Sequence, residues 1–257
     1  MFVFPKETDT AHVILRPTIT RPLQQVSVCL RTFSELSRWY PLFSLATPTY
    51  KDAFLIRFQA PTNYMVYIGH ASSVLKRDSE PPDWSHTCVT WALETGVVHL
   101  WSNEKISTKI FNMRGISIAT ETSVVLGQEQ GSYGGGFDAS RSLVGEISDV
   151  HMWDYVLTQQ DIQKVLSGDL HGNVINWKSL VYEMKGDVLL QPTNLCKSVI
   201  YTLIIKFHRR AHRVSAGKLE RSPYYQLCHK RSDCALLFQC SNSEINVPYI
   251  CIHTRVC

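Results

Sequence analysis

Hydrophobic and polar residues alternate in short segments along most of residues 1–195, and turn residues separate these segments. Val26, Val28 and Leu30 alternate with polar neighbours, a period of two that is typical of a half-buried strand. Further segments with strand character are 54–58, 64–68, 87–91, 97–101, 124–126 and 144–153. Their spacing of roughly 8–12 residues is that of strands in a sandwich or barrel. The pattern therefore predicts an all-β, antiparallel sandwich of two sheets.

One segment has the period of a helix instead. Thr158 is a candidate N-cap, and Asp161 follows three residues later, where its side chain can complete a capping box. The apolar positions that follow are Ile162, Val165 and Leu166. Gly168 is suited to end the helix, because glycine adopts the left-handed conformation of a C-cap without steric cost. We predict one short helix on the outside of the sandwich.

The composition is that of a globular protein. Of 257 residues, 44% are hydrophobic and 19% are charged, which excludes disordered, collagenous and coiled-coil proteins. No run of about 18 uncharged apolar residues occurs, so we predict no membrane span. The net charge of +4 is too small to indicate a nucleic-acid partner.

Charge and cysteine content change sharply near residue 195. Residues 196–257 contain ten lysines and arginines against three acidic residues, and six of the eight cysteines. A change of this kind indicates a domain boundary. We predict a domain over residues 1–195 and a basic, cysteine-containing tail over 196–257 that is disordered or non-native. The tail has no C-x-x-C pair, which argues against a common zinc finger.

Three features of the first 195 residues could carry chemistry or a cross-link. Residues 126–138 combine oxygen-bearing side chains with a cluster of glycines, which suits a calcium ion or, alternatively, a flexible hairpin loop. Cys29 and Cys88 each lie in a predicted strand, where they could form a disulfide or remain buried thiols. His86 could act as a ligand or base, or could be a hydrogen-bonded strand histidine.

Several motifs in order along the chain resemble the pentraxin family. Residues 86–93 read H-T-C-V-T-W-A-L, which fits the family signature H-x-C-x-[ST]-W-x-[ST] at every position except the last. Further matching segments are 2–7, 126–133, 142–147, 152–154, 174–177 and 182–183. The resemblance covers about residues 2–195 and is strongest to the short pentraxins, of which the mucosal branch is one candidate.

The resemblance implies a flattened, lectin-like jelly roll and a disulfide between Cys29 and Cys88. It implies a secreted homopentamer that recognises phosphate- or carbohydrate-bearing ligands with two calcium ions per subunit, without catalysis. Residues 1–7 show no secretion signal, so secretion is expected from the resemblance alone.

The calcium ligands implied by the resemblance are only partly present. They correspond to Asp52, Glu129, Gln130 and Asp138. Three neighbouring ligand positions instead carry Lys51, Gly131 and Arg141. Lysine and arginine cannot ligate a cation, and their charge repels one. We therefore expect weakened calcium binding.

The ligand pocket implied by the resemblance also departs from the family pattern. It contains Arg57 and Tyr67, and Ser72 stands where an acidic residue would attract a choline ammonium group. This pocket should prefer anions over choline, unless Arg57 points into solvent. The sequence leaves two other functions to consider. A jelly-roll glycoside hydrolase is disfavoured because its E-x-D-x-x-E strand motif is missing, whereas a degenerate pentraxin relative without ligand binding remains the main alternative.

Overall fold

A computed structural model of the chain describes residues 1–77, 84–102, 105–111 and 116–192. In chain order its strands are β1 (Phe2–Phe4), β2 (His12–Leu15), β3 (Gln25–Phe33), β4 (Tyr40–Ala46), β5 (Phe54–Gln59), β6 (Asn63–Ile68), β7 (Ala71–Lys76), β8 (Ser85–Ala92), β9 (Val97–Ser102), β10 (Lys105–Ile110), β11 (Ser123–Leu126), β12 (Gly145–Trp153), β13 (Tyr182–Lys185) and β14 (Leu189–Leu190). The helix α1 (Gln159–Ser167) and two short 3₁₀ helices, Ala139–Arg141 and Trp177–Ser179, complete the described structure. The predicted tail, 196–257, lies outside the described residues.

The strands form two antiparallel sheets of seven strands each. Sheet A has the order β10-β9-β8-β3-β12-β1-β14, and sheet B has the order β13-β2-β11-β4-β5-β6-β7. Many neighbours in each sheet are distant in sequence, as expected of a jelly roll rather than a series of hairpins. The predicted fold class, an all-β sandwich with one short helix, is confirmed.

The alternation read from the sequence decides which side chains enter the core. In β6, Tyr64, Val66 and Ile68 are buried, whereas Met65 and Tyr67 remain partly exposed. β5 follows this rule only in its second half: Ile56 and Phe58 are buried in the core and Arg57 between them is partly exposed, whereas Leu55 is buried as well. Each large apolar side chain that is fully buried contributes about 1.5–3 kcal/mol relative to exposure.

Helix α1 covers a smaller apolar cluster with Cys29 and Cys88 at its base. Thr158 caps the helix, its hydroxyl oxygen accepting the Asp161 amide hydrogen while the Asp161 carboxylate accepts from the Thr158 amide. Gly168 ends the helix with a φ of 79°, in the left-handed region. The buried residues of this cluster are Cys29, Cys88, Trp101, Trp153, Leu157, Ile162 and Val165. The predicted helix and both of its ends are thus confirmed.

The pairing of β3 with β8 decides the question left open for the two cysteines. Cys29 lies directly opposite Cys88, their Cα atoms are 4.0 Å apart, and they form a disulfide. The register of the two strands brings the sulfur atoms together, so the pairing implied by the family resemblance is confirmed.

Strands β4 and β7 lie between the strands predicted from the pattern. β4 is buried at every position, including Tyr40, Phe43 and Ser44, so it lacks the alternation that identifies a half-buried strand. β7 is an edge strand with only Leu75 buried, so it lacks a continuous apolar face. Over the described ranges, no helix combines the length and the apolar character that crossing a membrane requires.

Candidate functional site

The sheet order brings the loop after β11 close to β5 and to the turn that precedes β5. β4 lies between β5 and β11, so the loop that follows β11 reaches side chains on the outer face of β5. The titrating residues of this loop meet those of β5 and of the turn before it. Together they form a charged cluster of Lys51, Asp52, Arg57, Glu129, Asp138 and Arg141.

Glu129 is at the centre of the charged cluster. Its side chain is only 5% exposed, and each of its carboxylate oxygens faces an arginine. Oε2 accepts a hydrogen bond from Arg57 Nη1 at 3.0 Å, and Oε1 accepts one from Arg141 Nη1 at 3.4 Å. Both oxygens that could ligate a metal ion are therefore occupied by guanidinium groups.

Arg57 joins the two sites that the resemblance implies, because it contacts both Glu129 and Tyr67. Its Nη2 donates a hydrogen bond to the Tyr67 hydroxyl. The guanidinium carbon is 4.9 Å from the centre of the Tyr67 ring and 5.7 Å from that of Trp39, within the range of cation–π contact. The side chain is 17% exposed, so Arg57 does not simply point into solvent. No sequence pattern singles out Trp39. It directly precedes β4 and reaches Arg57 because β4 pairs with β5.

Asp52 is a second, largely buried carboxylate in the charged cluster. Its Oδ1 is buried without a hydrogen-bond partner, and its Oδ2 is 3.9 Å from Lys51 Nζ. Burial raises the pKa of Asp52, and the positive charge of Lys51 opposes that shift. The unpartnered oxygen could accept a proton or a cation.

Gln130 uses its side chain to hold the loop in place. Nε2 donates hydrogen bonds to the carbonyl oxygens of Ser44 at 3.1 Å and Ser123 at 3.0 Å. Oε1 accepts from the amide of Gly134 at 2.9 Å. Since the whole side-chain amide is committed, Gln130 has only its backbone carbonyl left to offer a metal ion.

Asp138 and Arg141 lie at opposite ends of the 3₁₀ helix in the same loop. Asp138 caps this helix through Oδ1, which accepts from the amide and the hydroxyl of Ser140 at 2.9 and 2.7 Å. These hydrogen bonds lower the pKa of Asp138, and Arg141 adds to the effect. Asp138 Oδ2 is 3.5 Å from Arg141 Nε, so this carboxylate too is paired within the loop.

The space for a side chain at position 131 is filled by the loop itself. A Cβ atom added to Gly131 would lie 2.3 Å from the carbonyl oxygen of Gly136. The amide of Gly131 donates to the carbonyl oxygen of Gly135 at 3.0 Å, which closes this turn. Glycine at position 131 therefore removes a candidate ligand, and the loop backbone also leaves no room for a larger side chain there.

As arranged, the charged cluster does not fit a pair of calcium ions. It holds three carboxylates against three cations, so its formal charge is zero. Among the residues described, a group of three possible metal-binding side chains within 4.8 Å occurs only at Cys29, His86 and Cys88, where the disulfide occupies both cysteines. Calcium prefers six to eight oxygen ligands, several of them carboxylates, whereas the three carboxylates of the charged cluster are each paired with a lysine or arginine.

His86 lies in β8 of sheet A and not in the charged cluster. It is buried, and its Nε2 is 3.9 Å from the sulfur of Cys88. Burial lowers the pKa of His86 to about 3, and the nearby Arg31 and His151 add to this shift. The ring is therefore neutral at ordinary pH, which agrees with the interpretation as a strand histidine.

Comparison with known proteins gives a consistent result. The sequence model of the Pentaxin family matches residues 1–192. The chain is 44% identical over 203 residues to the C-reactive protein of Xenopus laevis, covering 77% of this chain and 85% of that protein. It is 42% identical over 193 residues to the serum amyloid P-component of Mus musculus, covering 75% and 86%. A heptameric SAP-like pentraxin from Limulus polyphemus has a similar structure, with a TM-score of 0.70, 25% identity, and coverage of 76% of this chain and 95% of that one. The chain therefore belongs to the pentaxin family, also written pentraxin.

Proposed function

We propose that this chain is a secreted, non-enzymatic recognition protein of the innate-immunity type that assembles as a homopentamer. Family membership supports recognition as the activity. The Limulus relative is a heptamer, which supports assembly into an oligomer. The Cys29–Cys88 disulfide supports secretion, because disulfides persist mainly in oxidising compartments.

The charged cluster is the proposed recognition surface. The observation that carries this proposal is that predicted site residues from segments more than seventy positions apart meet in one cluster, with Arg57 bound to Glu129. Arg57 is bound to Glu129 and is only 17% exposed. The cations more accessible to a ligand are Lys51 and Arg141, whose side chains are about half exposed although each also lies beside a carboxylate.

The ligands that this surface fits are anionic groups on phosphate- or carbohydrate-bearing molecules. Ser72 lies opposite Tyr67 in the β6–β7 pairing, so the residue beside the tyrosine offers no negative charge to a choline ammonium. Lysine binds phosphate as a point charge, and arginine binds phosphate or carboxylate with two parallel hydrogen bonds. We therefore propose that phosphate monoesters and acidic polysaccharides bind better than phosphocholine.

Calcium binding, a property of the family, is proposed to be weak in this chain. The candidate ligands remain Asp52, Glu129, Asp138 and the backbone carbonyl of Gln130. The pairing of Glu129 with two arginines and the closed turn at Gly131 support the reduced affinity.

The proposal is tested with the full chain, secreted from cultured cells behind an added signal sequence. Beads that carry phosphoethanolamine, heparin or phosphocholine are compared in calcium and in EDTA. We expect retention on the phosphoethanolamine and heparin matrices in both buffers and a loss of retention in Arg141→Gln. Retention should not change in Arg16→Gln, whose arginine directly follows β2 and pairs with Glu183 of β13. Absence of retention on every matrix would favour the alternative, a degenerate relative without ligand binding.

A further inference from the structure

The Arg57 guanidinium lies beside the buried Glu129 carboxylate, where its positive charge stabilises the carboxylate as a bound metal cation would. We propose that Arg57 replaces a metal ion as the partner of Glu129 and thereby makes the closed conformation of the loop over residues 127–142 independent of calcium. The inference rests on the proposed recognition surface, but it concerns what holds that surface together and not what binds to it.

Glu129 is buried and needs a positively charged partner. A carboxylate that is 5% exposed cannot keep its charge without a cation or several hydrogen-bond donors close by. Arg57 supplies both a positive charge and an N–H group at 3.0 Å. A metal ion would satisfy the same requirement, so the arginine and the ion are alternative solutions at the same carboxylate.

Arg57 is held in place by contacts with the side chains around it. It extends from the central region of β5, contacts the rings of Trp39 and Tyr67, and donates to the Tyr67 hydroxyl. A planar, delocalised cation is well suited to such surroundings because it can stack on aromatic rings and donate in fixed directions. Its charge is therefore available to Glu129 permanently, without the concentration dependence of a free ion.

The rest of the loop over residues 127–142 is held by hydrogen bonds and ion pairs within the protein, without an ion. Gln130 binds Ser44 and Ser123, and Asp138 is paired with Ser140 and Arg141. The one carboxylate oxygen left without a partner in the charged cluster is Asp52 Oδ1, as far as the described residues extend. A single such oxygen is far from the ligand number that calcium prefers.

A second arginine–glutamate pair provides a matched control. Arg16 Nη2 is 3.0 Å from Glu183 Oε2, the same separation as in the Arg57–Glu129 pair. The side chains of Arg16 and Glu183 are 62% and 41% exposed, so solvent screens their interaction. The two pairs have the same chemistry and length but differ in burial, which is the variable that the inference depends on.

The experiment measures thermal unfolding of the full chain in about 2 mM calcium chloride and in about 2 mM EDTA, because a ligand that binds the folded state raises the midpoint. For the unaltered chain we expect midpoints that agree within about 1 °C. For Arg57→Gln we expect a midpoint in EDTA lower by at least about 5 °C, since the buried Glu129 carboxylate has lost the closer of its two arginine partners. Calcium should then recover part of that loss by binding Glu129 Oε2, the oxygen that Arg57 had covered. Arg16→Gln should unfold within about 1 °C of the unaltered chain in both buffers.

A second variant keeps the test decisive if Arg57→Gln does not fold. Replacing both partners, Arg57→Met with Glu129→Leu, removes the buried charges together and should restore folding with no response to calcium. A calcium-induced rise of more than about 3 °C in the unaltered chain would overturn the inference, as would equal midpoints for Arg57→Gln and Arg16→Gln. These readouts need no ligand, so their failure is distinct from a failure of the bead-binding assay.

Discussion

Two glycines of the same loop should respond in opposite ways to an added methyl group. A Cβ at Gly131 would lie 2.3 Å from the carbonyl oxygen of Gly136, whereas a Cβ at Gly135 would meet nothing closer than the Ser132 hydroxyl oxygen at 3.9 Å. Neither Gly131 nor Gly135 has a positive φ, so alanine is compatible with the backbone conformation at both positions. The comparison of Gly131→Ala with Gly135→Ala therefore isolates the steric contact.

The size of the effect follows from the contact distance. An ordinary carbon–oxygen contact is about 3.4 Å or longer, so the Gly131→Ala variant must separate two backbone segments by about 1 Å. Overpacking of this kind typically costs about 1–3 kcal/mol. For a chain of this length that corresponds to a midpoint about 3–9 °C lower. Gly135→Ala should be neutral or stabilising by up to about 1 kcal/mol, because alanine restricts the unfolded chain.

Scanning calorimetry of the two single variants and the unaltered chain measures these differences directly. Equal midpoints for Gly131→Ala and Gly135→Ala would refute the claim that the loop backbone has closed over position 131. The same contact bears on any attempt to restore a calcium ligand by Gly131→Asp. We expect that substitution to be destabilising and to leave calcium affinity low while Arg57 remains paired with Glu129.

Three further predictions concern the scaffold. His151 is buried and its Nδ1 accepts two backbone hydrogen bonds; burial, with His171 and Lys178, lowers its pKa to about 4. Only the unfolded chain therefore takes up this proton as the pH falls from about 6.5 to about 4, so up to about 3 kcal/mol of stability present above pH 6.5 should be lost over that range, as urea titrations at several pH values would show. His151→Asn should make the profile less steep but not flat, because the buried His86, whose pKa is also lowered, contributes a loss in the same direction. Thr158→Ala should cost about 1 kcal/mol in chemical denaturation by removing the cap of α1, with Thr158→Ser as a nearly neutral control. Replacing Cys29 and Cys88 together by alanine should cost about 2–5 kcal/mol, since the disulfide spans 59 residues, and an unchanged denaturation midpoint would contradict its structural role.

The helix is the element that the local sequence determined most completely. Thr158, Asp161 and Gly168 define its ends, and the apolar stripe defines its buried face. These interactions join residues no more than a few positions apart, so they can be read without knowledge of the fold. Strands with alternating faces were predictable for the same reason. β4 was not, because both of its faces are covered and its burial depends on segments far away in sequence.

The charged cluster shows where tertiary structure alone decided the outcome. The sequence and its family resemblance identified Glu129 as a candidate calcium ligand and Arg57 as a candidate pocket residue, and treated the two as parts of different sites. They are 72 positions apart in the sequence, and no local pattern signals that the two side chains meet. Their contact depends on the placement of β4 between β5 and β11, and the closure at Gly131 depends on the path of the loop. Sequence therefore determined which charges are present, whereas the tertiary structure decided which charges neutralise each other, because electrostatic pairing depends on distance and burial in space rather than on separation along the chain.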